Sequence, residues 1–199
     1  MVDYGLGNIR AFAHIYQRLN MPVVVATTAE QLTDAEKIVL PGVGAFDWAM
    51  TRLNDSGLRD TLDGLVLRQH VPVLGVCVGM QMMAHQSEEG ELSGLGWIDA
   101  EVVRFDPAQI GQAPLPHMGW NDVRPVATDS LFRGIEAPRY YFLHSYCIAP
   151  RQSAEVLATA RYGSDFTAAV RSGNVYGTQF HPEKSHQWGI DLLRNFAEL

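Results

Sequence analysis

The chain has 199 residues, 47% of them hydrophobic and 19% charged, enough apolar material for one sizeable core. A formal net charge of -7 and a pI near 5.4 argue against a nucleic-acid footprint and favour a small polar ligand or a protein partner. Its two cysteines, Cys77 and Cys147, lack C-x-x-C spacing and an accompanying histidine pattern, so neither a disulfide framework nor a zinc site is indicated. With no basic start leading into an apolar core and no apolar run long enough to span a bilayer, the expectation is a cytoplasmic protein without nucleic-acid or membrane partners.

Only Met1 and Val2 precede the loop DYGLGN, so if that loop follows a first strand, the strand is either very short or clipped by this start site. Ile9, Ala13, Tyr16 and Leu19 recur at helical spacing, Asn20 can end that helix, and PVVVATT reads as a buried strand. AEKIVLPG supplies a strand, Ile38 to Leu40, that runs into the glycine-rich turn PGVGAF. Helical periodicity follows through Trp48, Met50 and Leu53, then through Leu58, Leu62, Leu65 and Val66. Val71, Val73, Leu74 and Val76 form the next strand, with Met80, Met83 and Ala84 at helical spacing behind it.

Beyond SEEGELSGLGWIDAEVVRF, whose end from Ala100 to Phe105 is strand-like, Pro107, Pro114 and Pro116 interrupt the helical pattern. Trp120 to Val123, Tyr140 to Ile148, Ala154 to Arg161, Ala168 to Val170 and Val175 to Phe180 read as strands, largely hairpin-connected, for example across RSGN. A helix from Trp188 to Phe196 closes the chain. No repeat or linker divides it. The expectation is one α/β domain over residues 1–199, a mainly parallel central sheet flanked by helices with an added antiparallel strand-rich part.

Chemistry is concentrated at Cys77, where a strand should turn sharply into a helix. Gly75 and Gly79 flank it and remove the side chains that would clash in such a turn, the mechanical logic of a nucleophile elbow. The helix N-terminus behind would favour thiolate and hold a developing oxyanion. An isolated G-x-C-x-G is equally met by a structural cysteine between packing glycines, so the rest of the chain must decide. NVYGTQFHPEK supplies a base and its orienter: Pro182 biases His181 towards extended geometry, in which Glu183 would project on the same face.

GVCVGMQ together with QFHPEKS resembles the class I, triad-type glutamine amidotransferases, and the resemblance spans essentially the whole chain. DYGLGN, PGVGAF, SEEG, PHMGWN, LHSY and FHPEKS in this order resemble one branch, the glutaminase subunits of imidazole glycerol phosphate synthase. The resemblance implies Cys77, His181 and Glu183 as catalytic residues and the backbone N–H groups of Val43 and Val78 as the oxyanion hole. It implies Gly44, Gln81, Glu89, Ser145 and Tyr146 around an L-glutamine substrate, and no metal or organic cofactor. The released ammonia would go to a barrel-type cyclase or synthase subunit in a heterodimer, with Leu6, Asn8, Met118, Trp120 and Lys184 as candidate interface residues. Other readings remain: a paralogue serving a surface-sugar amidination synthase, a cysteine peptidase or γ-glutamyl hydrolase on a related fold, and a non-catalytic regulatory subunit.

Overall fold

Residues 38–42 and 73–77 are buried along their whole length, as strands inside a doubly covered sheet must be. The computed structural model describes residues 1–126 and 130–199. Helix α1 (Ile9–Arg18) precedes β1 (Ile38–Gly42), α2 (Phe46–Asp55), α3 (Arg59–Asp63), β2 (Val73–Cys77) and the single turn α4 (Val78–Gln81). There follow β3 (Gln86–Ser87), β4 (Ala100–Arg104), α5 (Pro107–Ile110), β5 (His117–Pro125), β6 (Arg139–His144) and β7 (Tyr146–Pro150). The chain ends with β8 (Val156–Tyr162), β9 (Ser164–Ser172), β10 (Val175–Thr178) and α6 (His186–Ala197). Among the described residues no helix is long and apolar enough to cross a membrane.

One seven-stranded sheet runs in the order β1-β2-β10-β9-β8-β5-β6, and a three-stranded sheet in the order β3-β4-β7. The pairs β1–β2 and β2–β10 are parallel, whereas β10–β9, β9–β8, β8–β5 and β5–β6 are antiparallel. The expected α/β architecture with an antiparallel part is present, but the parallel core is narrower than the sequence suggested. The hairpins β8–β9 and β9–β10 join most of the strand-rich part to the same sheet, whereas β4 and β7 belong to the smaller one.

Two expected strands change. PVVVATT is not a buried strand: Val24 is 61% exposed, and only Ala26 forms a bridge, parallel to Val2. Its pairing partner is Met1–Asp3, which bonds it through Ala26 on both sides of the bridge. The stretch Tyr140 to Ile148 breaks at Ser145 into β6 and β7, which belong to different sheets. That break carries Ser145 and Tyr146 to the end of the parallel strands.

At that end, β1, β2 and α4 approach without side chains between them. A Cβ on Gly79 would run into the Leu40 carbonyl oxygen, and one on Gly42 into the Gly79 amide. Leu40, Leu74, Met80 and Met83 are fully buried around this contact, each contributing roughly 1.5–3 kcal/mol of burial. Gly79→Ala should therefore cost about 3 kcal/mol, because backbone rather than a flexible side chain must move. Chemical denaturation checks this; a loss below about 1 kcal/mol would contradict the packing described.

Candidate functional site

Strand β2 delivers Cys77 to the turn with φ +56° and ψ -116°. A non-glycine residue held there costs about 1–3 kcal/mol, which the surrounding packing must offset. The helix behind is shorter than its sequence pattern implied. Helix α4 is one turn, after which Met82 to Ala84 continue only as bends and turns. The electrostatic resource at Cys77 is thus the set of first-turn amides, Val78 among them, more than an extended helix dipole.

His181, just beyond the end of β10, lines the same cleft as Cys77 and interacts favourably with its thiol. Its Nδ1 lies 3.0 Å from Glu183 Oε1. The carboxylate reaches the ring by a route other than the extended chain expected: Pro182–Lys184 is a 3-10 turn, which folds Glu183 back under the imidazole. Ser185 pins this turn, donating to the His181 carbonyl at 2.6 Å and accepting from the Tyr141 N–H at 3.0 Å. Burial works against a charged His181 ring, but hydrogen bonds and charge at Cys77 and Glu183 outweigh it, and its pKa is pushed up to about 9.

A cleft of about 330 Å³ opens over the thiol. Cys77 and His181 line it, with Glu183 behind His181. Val43, Gly44 and Val78 form one wall, and Gln81, Glu89, Ser145 and Tyr146 reach it from α4, the loop after β3 and the β6–β7 break. Gln81 is buried and gives both amide protons to the protein, one to the Tyr146 carbonyl and one to Gln179 Oε1, each at 3.1 Å. Glu89 Oε2 accepts from the Phe46 N–H at 2.9 Å, the start of α2. A larger cleft of about 650 Å³, lined by Met1, Val24, Leu32, Asp34 and Lys37 among others, contains neither thiol nor imidazole and lies away from this chemistry.

The five candidate interface residues do not form one class. Met118 is 65% exposed and Trp120 37%, the indole stacked on His186 with centroids 5.2 Å apart. Asn8 is exposed, but Leu6 is half-buried against the core. Lys184 lines the cleft, its ammonium 5.7 Å from the Tyr141 ring centroid. Cys147 is buried on β7, where burial first and Glu88 second push its thiol up to about 12, leaving it poorly nucleophilic.

Sequence reasoning passed over Gln179, Ser185 and a buried pair, His117 and His144. His117 Nδ1 and His144 Nε2 are 2.9 Å apart, and His144 Nδ1 lies 2.8 Å from the Tyr146 carbonyl. Burial lowers His117 to about 4 and is the main cause lowering His144 to about 3, so both rings are neutral at pH 7. The available signal was polar residues inside otherwise apolar strands, LHSY and GTQF, whose cost demands partners.

The family profile "Glutamine amidotransferase class-I" matches residues 1–199. The imidazole glycerol phosphate synthase subunit HisH of Bdellovibrio bacteriovorus is 57% identical over 202 residues, covering 100% of this chain and 98% of its own. The protein of the same name from Leptospira borgpetersenii is 48% identical, with the same coverage of both chains. Among solved structures, a glutamine amidotransferase superposes with a TM-score of 0.77 at 22% identity, covering 99% of this chain and 96% of its own. That similarity is one of fold.

The neutral histidine pair makes a pH prediction. Their folded pKa values lie below 6.5, so below that pH the unfolded chain binds protons that the folded chain refuses. Stability is present above pH 6.5 and is lost as pH falls, by up to about 1.4 kcal/mol per pH unit for each ring. His117→Phe keeps the stacking on Phe142 and Tyr162 and should make the stability profile between pH 6.5 and 4 shallower. An unchanged slope in urea titrations would show that His117 is not a neutral buried group.

Proposed function

This chain belongs to the class-I glutamine amidotransferase family, and from that premise we propose that it is the glutaminase subunit of an imidazole glycerol phosphate synthase, hydrolysing L-glutamine to glutamate and ammonia for histidine biosynthesis. The observation that carries the reading is Cys77 on a left-handed strand-to-helix turn, sharing a cleft with a histidine whose Nδ1 is held 3.0 Å from a buried carboxylate. The full-length likeness to the two HisH subunits favours this branch over a paralogue serving sugar amidination.

In this mechanism His181 takes the Cys77 proton, and the thiolate attacks the glutamine side-chain carbonyl carbon. The tetrahedral oxyanion is received by the backbone N–H groups of Val43 and Val78. His181 returns the proton to the amide nitrogen, ammonia departs, and a thioester remains on Cys77. Water deprotonated by His181 then attacks the thioester, and a second tetrahedral intermediate collapses to glutamate and the thiol. Glu183 holds the ring in one tautomer and supports its positive charge, the state favoured by the raised His181 pKa. Gly44, the Gln81 side-chain oxygen, Glu89, Ser145 and Tyr146 position the amino acid.

Ammonia is used by a partner subunit, which we assign as a barrel-type cyclase docked over Asn8, Met118, Trp120 and Lys184, with Leu6 supporting the loop from beneath. The DYGLGN loop is in direct touch with the PGVGAF turn: Tyr4 donates to the Pro41 carbonyl at 2.8 Å, and Gly7 packs on Pro41. Gly42 is locked by Gly79, whereas Gly44 has φ +89° and meets only the Trp48 side chain, at an ordinary contact distance of 3.8 Å. The Val43–Gly44 peptide is therefore the element suited to transmit partner binding to the oxyanion position.

Glutamine hydrolysis should be measured for the chain alone, with the cyclase subunit, and with that subunit plus its nucleotide ligand, in wild type and in Cys77→Ser. The reading expects turnover to rise at each addition and the variant to lose at least ~10³-fold with an unchanged melting temperature. Equal rates in all three states would remove the coupling, and an active Cys77→Ser would remove the mechanism.

A further inference from the structure

Among the described residues, the Leu143 carbonyl and the Gln179 amide contact the Cys77 sulfur and His181 shares its cleft, and the three act differently on a thiolate. The Leu143 carbonyl oxygen lies 3.9 Å away and accepts from the thiol, but it repels the sulfur once the proton has left. His181 supports the negative charge when its ring is protonated. The Gln179 side-chain amide, 3.8 Å from the sulfur, donates to it in either state.

Gln179 is fully buried at the end of β10, with its backbone N–H bonded to the Ala168 carbonyl at 2.8 Å. Its side chain has no choice about which end meets the sulfur. The Tyr146 carbonyl can only accept, and it receives the Gln81 amide nitrogen. The second proton of that nitrogen points to Gln179, which must answer with its oxygen, leaving its own nitrogen for Cys77. The same carbonyl orders the other direction. His144 must present Nδ1–H to it, so His144 Nε2 accepts from His117 Nδ1–H. His117 Nε2 is then left to accept from Asn121 at 3.3 Å. One backbone carbonyl thus sets the polarity of a hydrogen-bonded series from β5 to the nucleophile.

Resting on the glutaminase reading above, the geometry points to Gln179 as a positioning residue for the nucleophile, its amide oriented by Gln81 and the Tyr146 carbonyl so that it holds the Cys77 sulfur and donates to the thiolate. The role requires a donor. A methionine would fill the same space without one, and a glutamate would keep the shape while directing negative charge at the sulfur. Packing and electrostatics therefore rank the variants in opposite orders.

The test is the rate of Cys77 alkylation by iodoacetamide as a function of pH in the full chain, with the modified residue identified by mass spectrometry, for wild type, Gln179→Met and Gln179→Glu. The ionisable groups around Cys77, namely His181, Tyr4, His144, Tyr146, Glu89 and Lys184, are unchanged in both variants. The alkylation curve should move to higher pH by about one unit in Gln179→Met and further in Gln179→Glu. With the cyclase subunit present, kcat for glutamine should fall ~10-fold in Gln179→Met while KM changes less than ~3-fold. Superimposable curves, or a glutamate variant closer to wild type than the methionine variant, would overturn the proposal. A wild-type chain that fails to hydrolyse glutamine with its partner would instead sink the glutaminase reading, and the order of the alkylation curves would still decide the role of Gln179.

Discussion

The site depends on one steric constraint: the amide of Gly79 must pass against the end of β1 where any side chain would strike the Leu40 carbonyl. Only because β1, β2 and α4 can close to backbone contact does the chain reverse within a residue at Cys77, at φ +56°. The turn delivers the thiol to the C-terminal ends of the parallel strands, where open α/β sheets gather their ligands. Every other component arrives from a separate element at that edge. His181 comes after β10, Ser145 from the break between β6 and β7, and Glu89 from the loop after β3, tied to the first amide of α2.

Around the thiol the structure separates two kinds of histidine by environment. His181 is buried but flanked by Cys77 and Glu183, so its charged form is favoured. His117 and His144 are buried among Phe105, Phe142 and Phe166, with neutral hydrogen-bond partners, so their neutral forms are favoured. A single fold thus keeps one ring available as an acid and base and keeps the others as fixed polar connectors. Cys147, by contrast with Cys77 in the cleft, sits in β7, where burial and then Glu88 push its thiol up to about 12.

Much of this was legible from local pattern. The apolar run before Cys77, its two glycines and the His-Pro-Glu segment follow from short-range rules, because turn geometry and strand burial are imposed by neighbouring residues. Less legible was anything decided by distant pairing. PVVVATT has the composition of a strand, yet Met1 to Asp3 give it only one bridge, at Ala26. Tyr140 to Ile148 is mostly apolar, and only the division of the stretch between two sheets reveals the break at Ser145. His181 and Glu183 were paired for the wrong local reason, since the 3-10 turn rather than an extended strand joins them. Gln179 was invisible as a participant because its meaning lies in partners 98 and 102 positions away.

The central claim is that Cys77 is the nucleophile of a glutaminase, and covalent trapping addresses it most directly. The full chain, mixed with the cyclase subunit proposed as its partner, should be incubated with a glutamine analogue carrying an electrophile at the side-chain carbonyl position, then digested and mapped by mass spectrometry. The account predicts one adduct per chain, on Cys77, with loss of glutamine hydrolysis in step with labelling and protection by free glutamine. Labelling confined to Cys147, or full inactivation with Cys77 unmodified, would contradict it.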